Sequence, residues 1–309
     1  MKRFHSITAV AAVSMLAAVL MVGCSGQTTE SAVSSSAAAS SDAAVAEEDS
    51  SEAVSAEAQS AADEESSSAE RESSSETAAA EELGEFKAIE VNGVELHYQH
   101  AGEGKPIILV HGNGGSHKVF DVAVGQLVDA GYSVYALDSR GQGANAPLEE
   151  YHYKDMAEDV YQFMQALKLE KPAYYGWSDG GIIGLELLIA HPDSVSLMIG
   201  SGTNIRPDGA VPEVMDGIKA DYEKTKNPLE ELMINEPNIT AEELKTIDVP
   251  VLLTVGENDA ILPEHTQEIA ADLPNCEVKI LPGEDHGSYI EHSDKIAPII
   301  IDFLKQNNY

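Results

Sequence analysis

From residue 105 to the C-terminus, short unbroken apolar runs alternate with longer stretches whose apolar residues recur at helical spacing. "PIILVHG" is short, apolar and closed by glycine and reads as a buried strand; "YSVYALD", "PAYYG", "VSLMIGSG", "VPVLLTVG" and the more polar "CEVKILPG" read as further strands. Between them, "KVFDVAVGQLVDAG", "DMAEDVYQFMQALKL" and "GGIIGLELLIAHP" read as helices, the first closed by Gly131 and the third by Pro192, and "KIAPIIIDFLKQ" closes the chain as another. Upstream, "FKAIEVNGVELHYQHAG" carries an Asn-Gly step between alternating runs, a hairpin signal. This order predicts an α/β fold with a mostly parallel sheet flanked by helices. Between the sixth and seventh strands, about residues 203–247, "VPEVMDGIKADYEKTK" and "NPLEELMI" predict two short helices that form a small cap. Met215, Ile218, Tyr222, Leu232 and Met233 on them either line a pocket or pack the cap onto the body.

The first 84 residues follow a different pattern. Lys2 and Arg3 precede an apolar run from Ile7 to Val22 and then Gly23-Cys24, the three parts of a secretory signal over 1–24. Met21-Val22-Gly23-Cys24 resembles a bacterial lipobox, which implies that Cys24 is retained as the lipidated first residue of an exported chain. Such a chain is anchored to the cell membrane and faces outward. Residues 25–84 are almost entirely Ser, Ala and Glu, with no aromatic residue and Arg71 as the one cation. Fifteen acidic residues give this segment a net charge of −14. It cannot bury enough apolar surface to offset chain entropy and reads as a disordered tether, roughly 40 Å long in root-mean-square terms or longer through self-repulsion. The body, 85–309, is long enough for one domain with a substantial core. Its share of the −35 total is −23, a field that repels polyanions and argues against a nucleic-acid partner. After processing, Cys276 has no second cysteine to pair with and reads as a small buried apolar residue.

In open α/β sheets chemistry gathers beyond the carboxyl ends of the strands. Four such ends carry reactive groups: His111-Gly112-Asn113-Gly114-Gly115, Gly176-Trp177-Ser178-Asp179-Gly180, Gly256-Glu257-Asn258-Asp259, and Pro282-Gly283-Glu284-Asp285-His286. A serine on a sharp strand-to-helix turn needs glycines two residues either side, where side chains would collide. Ser178 thus reads as a nucleophile, with His286 as its base. Asp259 is the preferred orienting acid, because side chains of adjacent residues such as Asp285 and His286 diverge; Glu257 is the fallback. The amides of Asp179, at the start of a helix, and of Asn113 read as oxyanion donors. The order Ser178, Asp259, His286, with a glycine-rich loop upstream, is that of a hydrolytic triad on this fold class. The remaining histidines have no metal-ligand spacing, so no metal is implied, and no cofactor either. His111 is expected to bond backbone within its loop, and Arg140 in "DSRGQG" to tie neighbouring loops together. "GNGG" mimics a dinucleotide fingerprint, but His117 stands where its last glycine belongs.

Over 86–309 the body resembles the α/β-hydrolase superfamily. "GWSDGG", "DSRGQG" and "GENDAILPEH" are similar to the biphenyl-hydrolase-like, valacyclovir-hydrolase type of that superfamily. The resemblance implies a cofactor-free serine hydrolase acting on small esters or related acyl compounds through an acyl-enzyme. The short cap departs from the family's usual lid. A second reading keeps the fold as a ligand-binding or signalling lipoprotein that does not turn over, and carbon–carbon bond hydrolysis or perhydrolysis would use the same residues.

Overall fold

The computed structural model describes residues 83–309. The expected signal, Cys24 and the tether up to residue 82 lie outside the described residues. The hairpin strands β1 (Glu85–Val91) and β2 (Val94–Ala101) turn at Asn92-Gly93, both at positive φ. There follow β3 (Lys105–Val110), α1 (Asp121–Asp129), β4 (Tyr132–Leu137), α2 (Tyr153–Leu167), β5 (Ala173–Trp177), α3 (Asp179–Ala190) and β6 (Leu197–Ser201). The chain then forms α4 (Pro212–Thr225), α5 (Pro228–Asn235) and a single turn α6 (Ala241–Leu244) before β7 (Val251–Gly256), α7 (Pro263–Asp272), β8 (Cys276–Leu281) and α8 (Ile296–Gln306). The eight strands form one sheet in the order β1-β2-β4-β3-β5-β6-β7-β8. β2 runs antiparallel to β1 and β4, and every later pairing is parallel.

Strand alternation divides the core into two layers. On β3, Ile108 and Val110 face the cluster built on α2 and α3, while Ile107 and Leu109 face the cluster built on α1 and α8. Tyr174 and Tyr175 on β5, and Leu253 and Leu252 on β7, divide in the same way. With helices over both faces, the central strands are buried along their length, which is why they read as unbroken apolar runs. Helix α3 is buried at every position from Asp179 to Leu188, because it lies on the sheet and is overlaid by α2 and α6. Its near-uniform hydrophobicity follows from that double cover.

Three local features differ from the sequence reading. The helix expected from Lys118 starts as a 3-10 turn, His117–Phe120, and becomes α-helical only at Asp121. The low apolar content of "PEHTQEIAAD" hides α7, which buries only His265, Thr266 and Ile269. Cys276 is half-buried rather than buried, since it stands on the edge strand; burial still pushes its thiol up to about 12. Among the described residues no helix is long and apolar enough to cross a membrane.

Candidate active site

The turn from β5 into α3 holds Ser178 at φ 53° and ψ −116°, a strained backbone for a residue with a side chain. Its geometry shows why the flanking positions are glycine. A Cβ on Gly176 would stand 2.1 Å from the Gly180 carbonyl oxygen, and one on Gly180 would stand 2.0 Å from that of Val110. The turn is pinned from the neighbouring strand by Ser178 N–H donating to the Ser201 carbonyl at 2.8 Å. Ser178 reaches a cavity of about 370 Å³ whose lining includes Gly112, Asn113, Asp179 and His286.

His286 reaches the same cavity on the loop after β8. Its Nδ1 lies 2.5 Å from Asp259 Oδ1. A carboxylate only accepts, so the ring donates Nδ1–H and leaves Nε2 as an acceptor. The Asp259 side chain is fully buried and is held by the amides of Gly256 at 2.9 Å and Ile261 at 3.0 Å. Asp285 instead accepts from the amides of Gly287 and Ser288, and Glu257 from that of Gly283, so neither carboxylate meets the ring through these bonds. Trp177 reaches across the cavity wall: its indole N–H donates to the His286 carbonyl at 2.8 Å and ties the serine turn to the histidine loop.

Asp179 is the first residue of α3, so its amide belongs to the unpaired group at a helix N-terminus. Asn113 follows the His111-Gly112 turn and lines the same cavity. A Cβ on Gly112 would stand 3.0 Å from Ser178 Cβ, so that loop closes directly onto the serine. His111 is fully buried and does bond backbone, its Nδ1 to the Gly112 carbonyl at 2.7 Å and its Nε2 accepting from Ser139 N–H at 3.0 Å. Burial lowers its proton affinity, in keeping with a neutral ring. Arg140 lies away from the cavity; its Nε donates to Asp159 Oδ2 at 2.6 Å and fastens the loop after β4 to α2.

The side chain of Asp179 and the role of Tyr153 escape the sequence reading. The Asp179 carboxylate is 3 % exposed and accepts from Asn113 Nδ2 and from the Tyr153 hydroxyl, each at 2.9 Å. Burial pushes it up to about 6, against the lowering effect of those two hydrogen bonds. Tyr153 is 26 residues earlier in the chain, and nothing local in "YHYKDM" points to that contact. Of the five cap residues singled out, Met215, Ile218 and Met233 line the cavity. Leu232 instead packs into the core, and Tyr222 lies at the surface with Lys226 Nζ 4.7 Å from its ring centre. Among the described residues no group of three His, Cys, Asp or Glu side chains is arranged to hold a metal ion.

A sheet in which β2 alone runs antiparallel to its neighbours, a serine on a glycine-flanked turn after β5 and helices inserted after β6 decide the fold. The chain has the α/β-hydrolase fold. The sequence profile described as alpha/beta hydrolase fold matches residues 105–229. Human serine hydrolase BPHL is 28 % identical over 248 residues, covering 70 % of this chain and 85 % of the relative. A putative non-heme chloroperoxidase of Synechocystis is 29 % identical over 272 residues, covering 69 % and 95 %. Among solved structures, an esterase from Thermogutta terrifontis superposes with a TM-score of 0.63 at 21 % identity, over 73 % of this chain and all of that one. The enol-lactonase from Burkholderia xenovorans superposes at 0.61 and 24 % identity, over 71 % of this chain and all of that one. In this α/β-hydrolase fold the cap is reduced to α4, α5 and the α6 turn, and α4 and α5 roof the cavity through Met215 and Met233.

Proposed function

We propose that this α/β-hydrolase-fold chain is a serine hydrolase that cleaves small ester or related acyl substrates. Ser178 Oγ attacks the acyl carbonyl carbon while His286 Nε2 takes its proton. Asp259 holds the ring and stabilises it as a cation, and the amides of Asn113 and Asp179 bind the oxyanion. The tetrahedral intermediate collapses to an acyl-serine as His286 returns the proton to the leaving alcohol oxygen. Water repeats the sequence and frees the acid. The observation that carries the reading is the strained Ser178 and the His286–Asp259 pair opening on one cavity. The mostly apolar walls at Val214, Met215, Ile218 and Ile261 suit an acyl chain, and the cavity volume suits a small one. The hydrolase names among the relatives support the same class.

A fluorophosphonate probe tests it, because only an activated serine displaces the fluoride. Wild type is expected to label at one site per chain, and Ser178→Ala to lose all labelling. Labelling that survives the substitution would place the nucleophile elsewhere.

The enzyme is further proposed to act at the outer face of a bacterial membrane, held by lipid on Cys24 and spaced from it by residues 25–84. The lipobox-like Met21–Cys24 and the acidic, aromatic-free composition of the spacer support this. Cys24→Ala is expected to release the protein or leave it unprocessed. Mature protein equally membrane-bound after that change would sink the anchor.

A further inference from the structure

Strand β8 ends the sheet and, among the described residues, pairs with β7 alone. It is the one parallel strand whose side chains face solvent: Glu277, Val278, Lys279 and Ile280 are all exposed, the two apolar ones at 37 % and 39 %. Flanking backbone bonds fix which way its peptide groups point. Val251 N–H donates to the Asn275 carbonyl, and Glu257 N–H to that of Leu281, so odd-numbered residues turn toward β7. By strand alternation, the N–H and C=O groups of Cys276, Val278 and Ile280 point to the open edge. Such an edge is a template for a further strand.

We propose that the occupant is β8 of a second copy, paired antiparallel across a two-fold axis at Val278. The five residues 276–280 are self-complementary about that point. Val278 meets Val278 as a hydrogen-bonded pair, Cys276 stands opposite Ile280, and Glu277 opposite Lys279. The two-fold repeats each contact, so the interface holds two opposite-charge pairs, both in the closer, non-hydrogen-bonded register. An axis at residue 277 would set Glu277 against Glu277, and one at 279 would set Lys279 against Lys279. The axis at Val278 alone matches the peptide directions, the apolar positions and the charges together. A pairing of five residues from each copy is smaller than the roughly 800 Å² per partner of a standard interface, and the −23 on each body opposes association. The dimer is therefore a reversible one, closed by its symmetry rather than extended into a filament.

Sedimentation velocity on the full chain across micromolar concentrations, at physiological salt, tests the pairing. Wild type is expected to show a concentration-dependent monomer–dimer equilibrium. Lys279→Glu turns both attractions into repulsions and is expected to raise the dimer dissociation constant by about tenfold or more. Glu277→Lys combined with Lys279→Glu restores opposite charges across the axis and is expected to recover the wild-type constant. A chain carrying Val278→Cys and Cys276→Ser is expected to form an intermolecular disulfide on mild oxidation, because hydrogen-bonded antiparallel partners lie about 5.5 Å apart at Cα. Cys276→Ser alone serves as the control and retains the folded state. A wild type that stays monomeric throughout overturns the proposal. So does a dimer indifferent to both the single and the double charge change, as association through lipid anchors would be.

Discussion

Replacing the buried carboxylate beside the serine offers a test whose sign and size follow from the structure. Asp179 is held neutral-leaning by burial, with a folded value of about 6 against an ordinary 3.8. Between about pH 4 and 6 the folded chain therefore binds more protons at this position than the unfolded chain, and stability from this group falls as pH rises. Above about 6 the loss is complete, and below about 4 it is absent. A difference of about two units corresponds to roughly 3 kcal/mol, and at 3 % exposure solvent screening removes little of it. Asp179→Asn deletes the titration while keeping the shape. One acceptor and its bond from Tyr153 or Asn113 change character, which adds a pH-independent offset on the order of 1 kcal/mol. Urea unfolding of both proteins from pH 4 to 7.5 isolates the effect, because groups common to the two cancel in the difference. The stability of Asp179→Asn relative to wild type is expected to rise by roughly 3 kcal/mol over that range and level off above about pH 6.5. A flat difference curve, or one that falls with pH, would refute the reasoning that burial dominates this carboxyl.

Asp259→Asn is expected to lower kcat by roughly 10² to 10⁴, whereas Asp285→Asn, whose carboxylate accepts backbone amides of its own turn, stays within about tenfold of wild type. Steady-state hydrolysis of p-nitrophenyl esters by both folded variants decides it, and the reverse ranking would reassign the acid. Gly176→Ala forces a Cβ to 2.1 Å from the Gly180 carbonyl oxygen and is expected to cost about 2 kcal/mol or more in unfolding experiments, with fluorophosphonate labelling slowed as the turn opens. Arg140→Ala leaves the buried Asp159 carboxylate, 2 % exposed, without its cation and with only the Asn92 Nδ2 donor, and is expected to destabilise by roughly 3 kcal/mol while the activity of the folded fraction is little changed.

The sequence by itself determined the order of elements and the class of fold. Central parallel strands covered on both faces must be apolar along their length, so β3, β5, β6 and β7 stand out without any knowledge of their partners. The serine turn was equally legible, because the steric demand for Gly176 and Gly180 is local and leaves its mark within five residues. Amphipathic helices with a clear apolar stripe, such as α2 and α8, were visible for the same local reason, while the mostly polar α7 was not. What the tertiary structure decided is which side chains meet over long separations. Glu257, Asp259 and Asp285 are three carboxylates near two strand ends, and only the packing of β7 against β8 sets Asp259 against His286. Tyr153 reaches Asp179 because α2 lies over α3, and the sharing of Met215 and Leu232 between cavity and core depends on how α4 and α5 are seated. Periodicity carries the burial of an element against its layer. It carries no information on which of several chemically equivalent groups a distant element will face, and that choice belongs to the packed chain.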